Sequence, residues 1–336
     1  MKNQDAFATP ALAIDDVTKL YSQWQRTGKM KDILKNLVRP EKREVRALDG
    51  IALRVEKGDF VAYAGANGAG KSTTIKILCG ILQPTSGYVS VLGLDPAKDR
   101  VKLMSRIGIV FGQRTELWWD HPVITSYEWK KTVWNIPDSV FEKNLRMVTD
   151  LLDLQDILHT FSRELSLGQR MRADLGMMLL HDPEVIFLDE PTLGLDVLAK
   201  RQMIDFLKRL NRERGTTIVV TSHDMDDLEE MAHRIVLLSA GKIAFDGNFD
   251  ELREAQGAIG RIKVATESVI PCHFNCMKYV SSEANVHEYA FDSEATPIRT
   301  ILAELSGMPG VQNVEIKKAP IEEIIAALYQ SWRKQR

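Results

Sequence analysis

The sequence has few cysteines and no long apolar run, and these absences exclude several classes of protein. Three cysteines in 336 residues are too few for a disulfide-stapled secreted scaffold and are typical of a reducing compartment. No run of 18 apolar residues occurs, so we expect no membrane-spanning helix, and a channel is excluded. The N-terminus lacks the apolar stretch of a secretory signal. Low-complexity segments and internal repeats are also lacking, which excludes a fibrous protein.

The sequence also has no strong charge imbalance. It carries 44 Lys and Arg against 46 Asp and Glu, a formal net charge of −2, so its composition gives no global reason to expect a nucleic-acid partner. Apolar residues make up 44% and charged residues 27%, values that exclude intrinsic disorder. The length predicts about two domains.

One basic stretch interrupts this neutral composition. Residues 22–46 contain eight positive and three negative side chains. Within this stretch, apolar residues at helical spacing predict a short basic amphipathic helix over residues 30–39, which ends before Pro40. We therefore predict a basic insertion near the start of the chain.

Strand-like patterns alternate with helical patterns over most of the chain. The strand-like runs are 11–17, 51–65, 101–112, 184–190, 216–222 and 234–247, and the helical patterns are 71–82, about 115–180 and about 197–214. Such alternation predicts an α/β fold with a mostly parallel sheet covered on both faces. The pattern changes after residue 255, and residues 256–336 are predicted to form a small accessory α+β domain without a catalytic motif.

A glycine-rich loop follows one of these predicted strands and precedes a helical pattern. Residues 65–72, GANGAGKS, fit the pattern GxxxxGK(S/T), for which a chance match in such a chain has odds of about one in a hundred. Glycines let the backbone turn its N–H groups toward an anion, and the positive end of the helix dipole points at the same place. We expect Lys71 to reach the β- and γ-phosphates of a nucleotide and the Ser72 hydroxyl to bind Mg²⁺.

A pair of acids ends another predicted strand. Asp189 and Glu190 follow the apolar run VIFL, and a buried strand that ends in two carboxylates needs a partner for their charge. Asp189 suits Mg²⁺, which binds few carboxylates together with water and phosphate oxygens. Glu190 suits the activation of an attacking water.

Six motifs in this order resemble those of the nucleotide-binding subunits of ABC transporters, and the resemblance covers roughly residues 10–255. The phosphate loop resembles Walker A, Gln113 the Q-loop glutamine, residues 165–169 (LSLGQ) the LSGGQ signature, Asp189 and Glu190 the Walker B aspartate and catalytic glutamate, residues 193–196 (LGLD) the D-loop, and His223 the switch histidine. The 53 positions between Gln113 and Ser166 leave room for the family's helical subdomain.

The resemblance implies a fold and a set of site residues. The fold is a P-loop NTPase (RecA-like) core with an antiparallel β subdomain and a helical ABC subdomain, together an ABC ATPase domain over residues 1–255. The implied catalytic residues are Glu190, His223 and Gln113, and the implied Mg²⁺ ligands are Ser72, Gln113 and Asp189. The implied ATP-binding residues are Gly65, Asn67, Gly68, Gly70, Lys71, Ser72, Thr73, Ser166, Gly168, Gln169, Asp196 and Tyr21, which lies where the family often has an aromatic ring on adenine.

The resemblance also implies partners. Two copies of the subunit would enclose two ATP molecules, with the signature of each copy facing the ATP of the other. Separate integral membrane permease subunits would supply the pore, so the chain would be peripheral on the cytoplasmic face of the inner or plasma membrane. The layout most resembles antibiotic and polysaccharide exporters. Leu167 departs from the family, since it replaces the signature's first glycine, but Gly168 keeps the close backbone approach to phosphate.

Three alternatives stay open at this stage. The chain could be a soluble cytosolic ABC ATPase that is not coupled to transport, although it lacks the long coiled coil of repair members and has one cassette rather than two. Trp118 and Trp119 either dock a permease or pack the helical subdomain. The basic residues 30–39 either face anionic lipid headgroups or form a solvated surface.

Overall fold

The computed structural model describes residues 9–24, 42–111, 115–255, 259–267, 274, 276–292, 295–308, 310–318 and 320–334. The chain divides into two compact units, Met1–Asp246 and Gly247–Arg336. This division falls slightly before the domain boundary expected at residue 255, and it assigns helix Phe249–Glu254 to the second unit. No helix in the described parts of the chain is long and apolar enough to cross a membrane.

The first unit contains strands and helices in alternation. Its strands are β1 (Leu12–Trp24), β2 (Lys42–Val55), β3 (Phe60–Gly65), β4 (Ser86–Val91), β5 (Ile107–Phe111), β6 (Val185–Asp189), β7 (Thr217–Thr221), β8 (Arg234–Ser239) and β9 (Lys242–Gly247). Its helices are α1 (Lys71–Leu78), α2 (Arg100–Met104), α3 (Val123–Val133), α4 (Asp138–Leu151), α5 (Leu167–Leu179), α6 (Val197–Arg214) and α7 (Met225–Met231), with a 3₁₀ turn at Ser162–Glu164.

A mostly parallel sheet forms the centre of this unit. Its order is β5-β6-β7-β3-β8-β9, and the strands from β5 to β8 run parallel. Strands β3 and β7 are buried along their whole length, which explains why their sequences are mostly apolar. The single strand expected over 234–247 is wrong: Ala240 and Gly241 have left-handed backbone angles (φ 48° and 81°), which turn the chain between β8 and β9.

The strand expected over 101–112 is also partly wrong. Its first residues belong to helix α2, which buries Leu103 and leaves Val101 in solvent, and the extended part is β5 alone. Strand β4 was not predicted from the sequence. Its first three residues are exposed, so the strand shows little of the alternation that would indicate it.

An antiparallel sheet with the order β2-β1-β4 covers part of the central sheet. Strands β1 and β2 pair along their whole length, with Leu12 opposite Val55 at one end and Trp24 opposite Lys42 at the other. The two ends of the predicted basic insertion are therefore strand, residues 22–24 in β1 and 42–46 in β2. The helix predicted over 30–39 lies outside the described residues.

Helices α3, α4 and α5 form the helical subdomain. Tyr127 on α3 is fully buried and donates a hydrogen bond from its hydroxyl to the Ala173 carbonyl on α5 (2.7 Å). Gly176 makes room for this ring, because a Cβ there would lie 2.3 Å from the Tyr127 oxygen. Asn144 on α4 donates to the carbonyl of Leu180, just beyond α5 (3.0 Å). These contacts place the LSLGQ helix, α5, at the centre of the subdomain.

The second unit has the expected α+β character. Helix α8 (Phe249–Glu254) is followed by β10 (Ile259–Thr266), β11 (Lys278–Glu283), β12 (Val286–Asp292), α9 (Ile298–Ser306), β13 (Val311–Lys318) and α10 (Ile321–Lys334). The strands form an antiparallel sheet with the order β11-β12-β10-β13. Side chains that alternate along β10 and β12 pack against Ile301 and Leu305 of α9 and form the core of this unit.

Candidate functional site

The phosphate loop joins the end of β3 to the start of α1. Gly65 and Gly70 have left-handed backbone angles (φ 155° and 115°). Neither position has space for a side chain, because a Cβ on Gly65 would lie 2.6 Å from the Leu238 carbonyl and one on Gly70 2.8 Å from the Ala47 carbonyl. Both the backbone angle and the packing therefore require glycine here. The loop is pressed against β8 and the segment that carries Ala47, which fixes its shape.

Lys71 begins helix α1 and is almost fully buried. Its ammonium donates to the Gly65 carbonyl (2.6 Å) and lies 3.4 Å from the Ala66 carbonyl. Burial lowers the pKa of Lys71, while the charges of Glu190 and Asp189 act in the opposite direction. The two acids thus help to keep a buried cation charged at the place where the sequence predicted phosphate.

Asp189 ends strand β6, and its two oxygens have different surroundings. Asp189 is paired with Thr221 in the parallel register of β6 and β7. The Thr221 hydroxyl donates to Asp189 Oδ1 (2.6 Å), and the Ser72 hydroxyl lies 3.5 Å from Oδ2. Thr221 therefore orients the carboxylate so that its second oxygen faces Ser72.

This pair of oxygen donors fits the predicted Mg²⁺ site. A hydroxyl and a carboxylate oxygen are the hard ligands that Mg²⁺ prefers, and nucleotide phosphates complete its shell in many sites. Ser72 and Asp189 come together from different elements, as a shared ion requires. The third predicted ligand, Gln113, lies outside the described residues.

Glu190 and His223 face each other at the same edge of the sheet. His223 Nε2 lies 2.7 Å from Glu190 Oε1. Glu190 has a left-handed backbone angle (φ 59°), which costs about 1–2 kcal/mol for a residue with a side chain. Its N–H donates to the Thr221 carbonyl (3.0 Å) and lies 3.2 Å from the Thr221 hydroxyl, so β7 holds this turn in place. The turn directs the Glu190 side chain toward His223.

A cavity of about 310 Å³ brings these groups together. Its lining consists of Ala47, Asn67, Gly68, Ala69, Gly70, Lys71, Ser72, Thr73, Glu190 and His223. All the predicted ATP-binding residues of the phosphate loop except Gly65 therefore share one site with the predicted base and the switch histidine. Backbone N–H groups, a buried ammonium and a carboxylate–imidazole pair are a suitable set for binding a polyphosphate and activating a water.

The signature residues lie at the start of α5 rather than in the lining of this cavity. The Ser166 hydroxyl accepts from the Gln169 N–H (3.2 Å), and the Gln169 side chain accepts from the Ser166 N–H (2.9 Å), which is a capping box. Leu167 contacts the D-loop, since a Cβ on Gly194 would lie 2.9 Å from Leu167 Cδ2. The signature turn and the D-loop are thus neighbours in one chain.

Two other predicted binding residues also lie apart from the cavity lining. Asp196 caps α6, and its side chain accepts from the Ala199 N–H (2.8 Å). Tyr21 is half-buried in β1, pairs with Val45 of β2 and carries the Lys19 ammonium 5.4 Å above its ring. A role for either residue in nucleotide binding stays a prediction.

Comparisons with known proteins decide the family. The family model described as ABC transporter matches residues 48–193, which include the phosphate loop, the signature and the two acids of β6. The chain is 33% identical to the uncharacterized ABC transporter ATP-binding protein YhcH of Bacillus subtilis, over 66% of this chain and 72% of that protein. The chain belongs to the ABC transporter ATP-binding proteins. The predicted resemblance to the nucleotide-binding subunits of ABC transporters and the predicted ATPase class are confirmed.

Other relatives agree with this assignment. The ABC ATPase is 31% identical to the methionine import ATP-binding protein MetN of Carboxydothermus hydrogenoformans, over 64% of this chain and 65% of that protein. A solved structure of the ATP-binding cassette MJ0796, a dimeric post-hydrolysis state bound to ADP and Pi, matches with a TM-score of 0.58 and 25% identity. That match covers 70% of this chain and 98% of the other. The predicted P-loop NTPase fold is confirmed.

Sequence reasoning missed two residues of the ABC ATPase site. Thr221 orients both Asp189 and Glu190. Its sequence signal is its position at the end of the run TIVVT, because that end lies beside the end of the run VIFLD if the two strands are neighbours. Ala47 lines the cavity from β2 and has no motif that indicates it.

Proposed function

We propose that the chain is an ATPase subunit that dimerises around two ATP molecules and drives a conformational change in separate membrane permease subunits, in the direction of export. The observation that carries the dimer is the position of the signature. Among the described residues, those that line the phosphate-loop cavity do not include Ser166 or Gly168. A second copy could place its own signature helix over this cavity, and the positive end of α5 would then face the γ-phosphate. The dimeric state of the cassette MJ0796 supports this arrangement.

In the proposed mechanism, the site positions the γ-phosphate and stabilises its developing charge. The loop N–H groups and the Lys71 ammonium would hold the phosphates. Glu190 would orient the attacking water, and His223, 2.7 Å from it, would fix the carboxylate and reach the γ-phosphate. When bound through Ser72 and Asp189, Mg²⁺ would neutralise charge on the β- and γ-phosphate oxygens. Thr221 would hold Asp189 and Glu190 at fixed positions throughout.

Replacement of Glu190 by Gln tests this mechanism. Gln has nearly the same shape but cannot accept a proton from water, so we expect kcat to fall by about 100-fold or more with little change in the affinity for ATP. Steady-state ATP hydrolysis and equilibrium binding of ATP measure the two effects. Glu184→Gln, at an acid that pairs with Arg106 away from the cavity, is the matched control and should retain activity. Full turnover by E190Q would show that the base has been assigned to the wrong residue.

An exposed aromatic cluster is the proposed docking site for the permease. Trp118, Trp119 and Trp129 are 38%, 50% and 40% exposed, and the Trp118 and Trp129 rings are 5.4 Å apart. Trp119 lies under the Arg170 guanidinium (4.7 Å), and Arg170 belongs to the signature helix α5. Exposed tryptophans are typical of interface hot spots, and this cluster follows the Q-loop segment directly.

A double Trp118→Ala and Trp119→Ala variant tests the docking site. We expect permease recovery in co-purification to fall by about tenfold or more, because each buried tryptophan contributes strongly to an interface, while ATP binding stays unchanged. Tyr88→Ala is the control, since Tyr88 is an exposed aromatic residue on β4, outside the helical subdomain. Unchanged co-purification of the double variant would contradict the docking site and show that these tryptophans only pack the helical subdomain.

The direction of transport and the alternative function need separate tests. Export is proposed from the resemblance of the layout, whereas the relatives include a protein named for methionine import. Permease genes next to this gene, without a gene for a periplasmic binding protein, would support export. A pull-down separates transport from the cytosolic alternative: polytopic membrane proteins support the first, and ribosomes or DNA support the second.

A further inference from the structure

Lys200 forms an ion-pair cluster that links two elements of the site. It lies in the first turn of α6, and its ammonium is 2.7 Å from Asp224 Oδ2 and 3.1 Å from Asp227 Oδ2. Asp227 is buried, with only 7% of its side chain exposed, and Lys200 is 29% exposed. The lysine thus joins α6 to the start of α7.

One end of this cluster is attached to the D-loop. The Lys200 N–H donates to the Asp196 carbonyl (2.9 Å), and the Asp196 side chain caps the same turn through Ala199. The D-loop also contacts Leu167 of the signature through Gly194. A displacement of the D-loop or the signature would therefore move the first turn of α6 and Lys200 with it.

The other end is attached to the switch histidine. Asp224 directly follows His223, donates its N–H to the Ser222 hydroxyl (3.0 Å) and accepts from the Asp227 N–H (3.1 Å) as the cap of α7. His223 in turn lies 2.7 Å from Glu190 Oε1. The path from the D-loop to the proposed base therefore runs through one lysine and the turn that carries the histidine.

Lys200 and Asp224 are both ionised at neutral pH. The hydrogen bond to Asp224 raises the pKa of Lys200. Burial opposes ionisation of Asp224, but its bond to Lys200 and the α7 backbone hold its pKa below the usual range. The Lys200–Asp224 pair is partly exposed, and such a pair contributes little to folding stability, so its place beside the His223 turn calls for another explanation.

We propose that Lys200 is a positioning residue that fixes the His223 turn and transmits D-loop movement to the His223–Glu190 pair. The proposal rests on the proposed dimer, in which the D-loop and signature meet the second copy. Among the described residues, Lys200 is not one of those that line the phosphate-loop cavity, so we assign it no role in holding ATP. Its removal should therefore affect the chemical step and leave nucleotide affinity intact.

Replacement of Lys200 by Met in the full chain tests the proposal. Met keeps the length of the side chain and removes the charge. We expect kcat to fall about tenfold, since small misplacements of catalytic groups are costly, with KM for ATP unchanged within about twofold. Lys200→Arg should retain most of the activity. Lys208→Met, an exposed lysine on the same helix, should behave as wild type. An unchanged kcat in K200M, or a loss of kcat in K200R as large as that in K200M, would overturn the proposal.

Two further variants distinguish positioning from a merely structural role. Asp224→Asn removes the negative charge of the Lys200–Asp224 ion pair. It keeps the cap of α7, because Asn caps helices as well as Asp. Its effect on kcat should overlap with that of K200M, so the double variant should lose no more than either single one. In a His223→Ala background, K200M should cause no additional loss of kcat, whereas multiplied losses would contradict the proposal. If E190Q is inactive and K200M is normal, only the role of Lys200 fails, and the proposed function stands.

Discussion

At the scale of single residues, the helical subdomain contains a half-buried acid, Asp174, whose pKa is displaced. Asp174 on α5 accepts from the Thr115 hydroxyl (2.9 Å) and the Glu116 N–H (3.1 Å). Burial raises the pKa of Asp174 from 3.8 to about 6, while these two hydrogen bonds act against the shift. Asp174 thereby ties the segment that precedes Trp118 to the signature helix, and its charge depends on pH.

This displaced acid predicts a stability difference between the wild type and Asp174→Asn. The folded state keeps a proton on Asp174 between pH 4 and 6, where the unfolded chain has lost it. The contribution of Asp174 to stability therefore falls as pH rises through this window and is constant above it. Because Asn removes this ionisation, we expect D174N to gain about 1–3 kcal/mol relative to wild type between pH 4 and 6.

Urea unfolding of both proteins at pH 4, 5, 6 and 7 measures this difference. Burial also lowers the pKa of His181 to about 4, but that residue is present in both proteins and its effect cancels in the comparison. A stability difference that does not vary with pH would contradict the assignment to Asp174.

The distance along the chain between a residue and its partners decides whether its place in the site could be predicted from the sequence. That the phosphate loop, Asp189 and Glu190 lie close together was predictable, because each belongs to a motif of adjacent residues in the chain. Thr221 was not, because its role depends on β6 and β7 being neighbours in one register, which brings Thr221 beside Asp189. Lys200 and Asp174 share this property, since their partners are 24 and 59 positions away in the chain. The helix at 197–214 was predictable because its apolar stripe and its cap at Asp196 are local signals.

At the scale of elements, one glycine sets the distance between α3 and α5. Gly176 faces Tyr127, and a Cβ on it would lie 2.3 Å from the tyrosine oxygen and 2.9 Å from Leu154 Cδ1. Glycine weakens a helix by about 1 kcal/mol relative to alanine. Its presence in the middle of α5 is therefore explained by the close approach of the two helices.

Gly176→Ala is expected to destabilise the protein in spite of the better helix propensity. Overpacking of a buried contact costs about 1–3 kcal/mol, which exceeds the gain in propensity. Thermal unfolding measures the effect. Tyr127→Phe should relieve part of it in the double variant, because it removes the nearest atom, and it should itself cost about 1 kcal/mol for the lost hydrogen bond.

The control for this prediction is Gly307→Ala. Gly307 has a right-handed backbone (φ −82°), and a Cβ there would meet its nearest atom at 3.7 Å, an ordinary contact. Its melting temperature should stay close to that of wild type. Additive effects of G176A and Y127F would show that the two side chains do not compete for the same space.

At the scale of the whole molecule, the proposed dimer divides each site into two halves that come from different copies. The cavity with Lys71 and Glu190 is one half, and the capped start of α5 with Ser166 is the other. In the proposed symmetric dimer, each complete site takes one half from each copy. Two different defects can therefore be placed in separate subunits.

Mixing two inactive variants tests this arrangement. Lys71→Ala removes the proposed phosphate contact, and Ser166→Ala removes the signature hydroxyl, so we expect each variant alone to be nearly inactive. An equal mixture should recover about a quarter of wild-type ATP hydrolysis, because half of the random dimers contain one intact site. No recovery from a mixture that exchanges subunits would contradict the shared sites.

The separation of the two halves has a genetic consequence. A subunit that carries both defects would inactivate both sites of any dimer that it forms. Such an allele should therefore be dominant negative over the wild-type gene. Alleles with single defects in different halves should instead complement each other when they are expressed together. Mutations at the capped turn of Ser166 and at the loop of Lys71 should thus show intragenic complementation, as mutations in two separate genes would.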